Sequence, residues 1–155
     1  MELLKTPLVR RALDSSAMVS VLKHTVPALD LRLMRLSRGW VNTGMQTVAL
    51  IETTGAKSGA KREIVTLCMP AGDDLILVGS NWGQERDPAW VHNLRAHPVA
   101  RVRYRGFDGL MEAREMSGKA REDMWQRLVR YNPQYGHYQS QTNRRLPVVS
   151  LTRTS

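Results

Sequence analysis

With a single cysteine, a single phenylalanine and no apolar run of eighteen residues, this chain rules out several classes of protein before any motif is read. Cys68 has no partner for an internal disulfide, and one thiol cannot build a thiolate metal site. It stands in the apolar run "VTLCMP", where a small buried hydrophobe is the expected role and a nucleophile the alternative. The histidines His24, His92, His97 and His137 are scattered. His92 and His97 are five apart and miss the i, i+4 spacing of paired ligands on a helix, so no metal centre is expected. Without a long apolar run, no helix spans a membrane. The start lacks the compact apolar segment and cleavage site of a signal peptide, which makes a cytoplasmic location the default expectation. Aromatic residues are only 6%, thin for a protein that stacks many bases.

Acids are also scarce. Fourteen Asp and Glu face 23 Lys and Arg, for a net charge of +9. Such a surface attracts polyanions, whether nucleic acid, anionic lipid or a charged cofactor, and charge alone does not choose among them. The 155 residues suffice for one domain with a core, and 42% hydrophobic with 24% charged residues is ordinary for a soluble globular protein.

Residues 1 to 40 are expected to form a first, helical unit, packed on or extending from the rest of the chain. Apolar positions recur three and four apart, as at Leu8, Ala12, Val19 and Leu22, and Pro27 divides the pattern into helices over about 6–25 and 28–37. Seven cations (Lys5, Arg10, Arg11, Lys23, Arg32, Arg35, Arg38) meet three acids (Glu2, Asp14, Asp30). A basic amphipathic segment of this kind suits a peripheral contact with an anionic membrane surface, or simple packing on the domain with its charges in water.

Residues 41–155 read as a second unit. Strands are expected at "MQTVALIETT" (45–54), "KREIVTLCMP" (61–70), "DDLILVGSN" (73–81), "VARVRYRG" (99–106), "LMEAREM" (110–116) and "LPVVSLTR" (146–153). "PAGDD" reads as a hairpin turn, and a second turn is expected from Gly106 to Gly109. Helices are expected at "DPAWVHNLRAHP", with Asp87 as cap and Pro88 in the first position, and at "SGKAREDMWQRLVRYNP", with Ser117 as cap. Six strands without βαβ alternation indicate an α+β barrel of mainly antiparallel strands.

Three clusters carry chemistry. "TTGAKSGAKR" (53–62) packs three cations, three hydroxyls and two glycines into ten positions between two strands. It is neither a P-loop nor a dinucleotide fingerprint. Gly55 and Gly59 let backbone approach a ligand, Lys57, Lys61 and Arg62 supply charge, and Ser58 supplies a hydroxyl. A solvated basic hairpin is the alternative. "GSNWGQERDPAWVHNL" puts Ser80, Asn81 and Gly83 at a strand end, where small and amide side chains suit the edge of a flat heterocycle. Trp82 and Trp90 would wall a planar ring, with core packing the alternative for Trp90. "YNPQYGHYQSQTNRR" gathers Tyr131, Tyr135 and Tyr138, phenols that stay protonated at neutral pH and can donate a hydrogen bond or a proton.

Taken in order, "TTGAKSGAKR", "SNWG", "DPAWVHNL" and "PQYGHYQ" resemble the deazaflavin-dependent nitroreductases, split β-barrel oxidoreductases that use coenzyme F-420. The similarity covers about residues 45–152. The resemblance implies hydride transfer from a reduced deazaflavin to an electron-poor quinone, enone or nitro compound. It implies that Lys57, Ser58, Gly59 and Arg62, with Gly55, hold the cofactor's phosphodiester and polyglutamate tail. Val65, the Ser80–Gly83 segment, Pro88, Trp90 and Asn93 would line the ring pocket, and Tyr135 and Tyr138 would face the substrate. The chain departs from the family pattern at Ala56, Asn81 and Val91, and at Glu63, an acid beside an anion site. The alternatives are an enzyme of the same barrel using flavin mononucleotide, and a non-catalytic barrel binding a lipid, haem or cofactor. No nucleic-acid signature appears. Monomer and homodimer are both open.

Overall fold

Alternation along the strands builds the barrel. The structure, a computed structural model, describes Arg32 and residues 47–155. The helices expected over 6–25 and 28–37, the unit over 1–40 with its membrane contact, and the first residues of the strand expected from Met45 lie outside the described residues, apart from Arg32, which is helical and exposed. In β1 (Val48–Thr54) successive side chains turn to opposite faces. Ala49 and Ile51 enter the barrel interior, while Val48 and Leu50 pack on the outer face with Val65 and Leu67. The same alternation runs through β2 (Lys61–Ala71), β3 (Asp74–Val78), β4 (Val99–Tyr104), β5 (Phe107–Glu115) and β6 (Val148–Arg153). All neighbours pair antiparallel, and the sheet closes in the order β1-β2-β3-β6-β5-β4. The expected six-stranded antiparallel barrel is therefore observed.

Turn chemistry sets the hairpins. Ala71 pairs with Asp74, leaving a two-residue loop at Gly72 and Asp73 as "PAGDD" suggested. The β4–β5 turn differs from expectation. Tyr104 pairs with Phe107, so the turn is Arg105 and Gly106 alone, with φ of 43° and 82°. Two left-handed residues match the twist of the flanking strands, and Gly109 lies inside β5 opposite Val102.

Among the described residues, three α-helices cover the barrel. α1 (Ala89–Ala96) sends Trp90, Val91 and Leu94 into the interior cluster with Leu77, Val102, Met111 and Leu151. Each fully buried side chain of this size contributes roughly 1.5–3 kcal/mol. α2 (Gly118–Tyr131) and α3 (Gln134–Ser140) cover the outer face of β3 and β6, where Leu128 and Tyr135 meet Ile76, Val78 and Val148. α3 was not expected as a helix; a proline before it and Gly136 within it weaken its local signal, and burial of Tyr135 supplies what propensity does not. Asp87 does not cap α1. Pro88 holds the cap position, and the Asp87 carboxylate is taken by two arginines. Ser117 does stand at the cap of α2, but its side chain makes no capping bond. Cys68 sits in the barrel interior at 1% exposure. Burial pushes its thiol up to about 12, so it stays protonated and acts as the small hydrophobe expected.

Candidate functional site

The basic segment forms a six-residue loop, 55–60, between β1 and β2, with Thr54 paired to Lys61 across its base. Its backbone is tied to itself: the Gly55 N–H donates to the Ala60 carbonyl (2.7 Å), the Gly59 N–H to the Gly55 carbonyl (2.9 Å), and the Ala60 N–H to Ser58 Oγ (3.2 Å). A Cβ on Gly55 would stand 2.6 Å from Ser58 Oγ, so any other residue would have to push that hydroxyl off the Ala60 N–H. Lys61 Nζ donates to Thr54 Oγ1 (3.1 Å). Lys57 and Arg62 are exposed, and among the described residues no carboxylate pairs with either. Glu63, which looked unfavourable beside an anion site, meets Arg103 Nη1 at 3.5 Å, so its charge is opposed.

Asn93 ties this loop to α1. It is 8% exposed, accepts from the Ala56 N–H (2.9 Å) and donates through Nδ2 to Thr53 Oγ1 (3.1 Å). Both ends of its amide are used within the protein, so it holds the loop rather than presenting a free group to a ring. The Ala56 departure costs a side chain, while the backbone N–H at that position carries the tie.

β3 ends at Val78, three residues sooner than expected, and the chain turns left-handed. Asn81, Trp82 and Gly83 have φ of 43°, 59° and 76° in a single 3-10 turn. Ser80 precedes it and is half-buried. Trp82 is 47% exposed and stands edge-on to Tyr138, ring centroids 6.1 Å apart. Gly83 packs so closely on α3 that a Cβ would lie 2.5 Å from Gln141 Oε1 and 3.0 Å from the Tyr138 carbonyl. The structure thus joins the strand-end cluster to the tyrosine cluster, which the sequence keeps over fifty positions apart.

The tyrosines separate. Tyr138 is half-buried beside Trp82, and burial raises its phenol above the usual range. Tyr131 is exposed and donates to Thr47 Oγ1 at 2.8 Å. Tyr135 is 1% exposed in the layer under α2 and α3, its hydroxyl buried with no hydrogen-bond partner among the described residues. Burial drives its phenol strongly upward. Trp90 is 7% exposed in the barrel interior, the packing alternative. Pro88 is the half-buried cap of α1, between the turn and Asn93. Val65 lies on the outer barrel face against Val48 and Leu50. Among the described residues no three His, Cys, Asp or Glu come together as a metal would need, and no helix is long and apolar enough to cross a membrane. Sequence reasoning passed over Arg144 and read Asp87 only as a helix cap, yet both engage the turn or its flank. The arginine in "TNRR" gave no local signal because its partners lie 57 to 65 positions away.

A family model described as F420H(2)-dependent quinone reductase matches residues 30–153. Among curated proteins, the F420H(2)-dependent quinone reductase Rv1261c of Mycobacterium tuberculosis is 34% identical over 107 residues, covering 67% of this chain and 72% of that protein. Among solved structures, an F420-H2 dependent reductase (FDR-A) is 33% identical with a TM-score of 0.62, covering 68% of this chain and 93% of that one. A second, described as a domain-swapped dimer, is 28% identical with a TM-score of 0.64, covering 88% of this chain and 99% of that one.

Proposed function

The chain belongs to the F420H(2)-dependent quinone reductase family, and from that premise we propose that it reduces a quinone with coenzyme F-420 as its hydride carrier. The observation that carries this reading is the pair Lys57 and Arg62, exposed and without a carboxylate partner among the described residues, on a loop whose backbone is fixed from within and by Asn93. A polyanionic phosphodiester and polyglutamate tail fits that charge. Arginine offers a planar fork to phosphate or carboxylate, and lysine a point charge. The left-handed turn with Trp82 against Tyr138 fits a flat ring beside an aromatic wall. The residues present therefore suit the group, with Ser58, Gly59 and Gly55 shaping the tail loop and Ser80 to Gly83 the ring edge.

When bound, the reduced deazaflavin supplies the hydride. The protein's part is to orient and to manage the proton. Tyr138 is the donor aimed by this reading at the acceptor oxygen, because its phenol stays protonated at neutral pH and it stands beside Trp82. Tyr135 is read as a packing residue that positions α3. Tyr138→Phe should lower kcat about a hundredfold, the low end of general acid–base effects. Tyr135→Phe should leave kcat near the parent value and raise stability by about 1 kcal/mol, since an unpartnered buried hydroxyl is removed. A kcat loss in Tyr135→Phe equal to that in Tyr138→Phe would return Tyr135 to the chemistry.

The deciding test is a fluorescence titration of the apo protein with oxidised coenzyme F-420, with flavin mononucleotide in parallel. Micromolar binding of the deazaflavin alone is expected. Preference for the flavin would overturn the cofactor, and binding of neither would overturn the oxidoreductase reading. We also propose that residues 1–40 rest on an anionic membrane surface, on the strength of seven cations against three acids at amphipathic spacing. Sedimentation with anionic vesicles should fall when residues 1–38 are deleted; no binding by the full chain would end that idea.

A further inference from the structure

Three successive left-handed residues are costly to hold. Outside glycine the conformation costs about 1–2 kcal/mol per residue, and Asn81 and Trp82 both adopt it. Two local bonds brace the turn, from the Gly83 N–H to the Ser80 carbonyl (2.8 Å) and from the Gln84 N–H to the Asn81 carbonyl (3.1 Å). The Asn81 amide adds a bond to the Arg86 carbonyl (2.9 Å). These bonds close the turn on itself but do not fix it to the barrel.

Arg144 does. It lies between α3 and β6, with only 15% of its side chain exposed. Its Nε donates to the Gln84 carbonyl (2.8 Å), Nη1 to the Gly79 carbonyl (3.0 Å), and Nη2 to the Ser80 carbonyl (2.8 Å). Nη1 also meets Asp87 Oδ1 at 2.6 Å. Gly79 and Ser80 lead into the turn and Gln84 leads out, so one rigid guanidinium fixes both ends of the loop at once. Asp87 is held in its turn by Arg95 (3.0 Å), and Arg95 chelates Glu115 on β5 through two bonds of 2.7 Å. The clamp is anchored to α1 and to the sheet. A lysine has one point of charge and cannot span three carbonyls that face it from different directions.

We propose that Arg144 is a positioning residue: it holds the Asn81–Gly83 turn in its left-handed form, with Trp82 set against Tyr138, and so preorganises the pocket for the cofactor ring. The link to the ring rests on the function proposed above; the clamp itself does not. Preorganisation of this kind acts on affinity by removing the ordering cost of the loop.

The test uses the full chain with four variants. Arg144→Met and Arg144→Lys probe the clamp. Arg145→Met changes the neighbouring exposed arginine that pairs with Glu122, and Met111→Ala lowers stability from inside the barrel, away from the loop. Melting temperature, deazaflavin Kd, and acrylamide quenching of Trp82, isolated by subtracting a Trp82→Phe background, are measured for each. Both Arg144 variants should raise Kd by about tenfold or more, and Trp82 should become more quenchable before any cofactor is added. Arg145→Met should change neither. If Met111→Ala raises Kd as much at an equal loss of melting temperature, or if Arg144→Lys restores the parent Kd and quenching, the clamp is overturned. If the parent protein binds no deazaflavin, the proposed function fails while the quenching comparison still decides the clamp.

Discussion

Replacing Lys57 and Arg62 together by alanine should weaken deazaflavin binding by about 2 kcal/mol or more, roughly thirtyfold in Kd, because a hydrogen bond to a charged group is worth about 1.5–3 kcal/mol. These two cations are the right targets on structural grounds. Lys61 is engaged with Thr54, whereas Lys57 and Arg62 are exposed with no carboxylate partner among the described residues. Removing them leaves no buried acid unpaired, so the fold should be unaffected and the melting temperature close to the parent's. The binding loss should shrink as salt is added, since exposed charges are screened beyond about 10 Å at 0.1 M ionic strength. The fluorescence titration at low and high salt checks both points. An unchanged Kd at low salt would place the anionic tail elsewhere on the protein.

The barrel was legible because its signal is local. The continuous apolar, β-branched run of β1 reports a strand buried on both faces, the alternation in β4 reports one half-exposed, and turn residues such as those of "PAGDD" report where the chain reverses. The order of strands and the closure β1 to β4 are not local, yet six short antiparallel candidates leave few ways to bury their apolar faces. The basic loop was legible for the same reason, since glycines and cations sit side by side in the chain. What the sequence concealed are partnerships across long separations. Asp87 has the residue type and position of a helix cap, but two guanidinium groups bind a carboxylate more strongly than a backbone N–H does. Trp90 belongs to the apolar stripe with Val91 and Leu94, which favours the core over a ring pocket. The one signal that could have pointed to the bonds Asn93 makes to Ala56 and Thr53 is that same stripe: an amide on the apolar face of a two-turn helix must meet buried polar partners.

That amide carries the second large effect. Asn93→Ala should cost about 2 kcal/mol of stability, because Thr53 Oγ1 loses a buried donor and the Ala56 N–H loses its acceptor. For a domain of this size such a loss lowers the melting temperature by about 4–8 °C. Deazaflavin Kd should rise with it, since the loop carrying Lys57 is no longer tied to α1. Asn93→Asp separates the two consequences. A carboxylate still accepts from the Ala56 N–H, and the Thr53 hydroxyl, which now donates weakly to the Arg62 carbonyl at 3.5 Å, can turn to donate to it. Stability should therefore fall less than in Asn93→Ala. The new negative charge, however, lies directly under a loop meant to hold an anion, so affinity should fall at least as far. Thermal melts and titrations on the two variants check the pair of results. If Asn93→Ala melts lower but binds the deazaflavin with the parent Kd, the tie supports only the fold. If Asn93→Asp keeps parent affinity, the anionic tail does not pass over this loop.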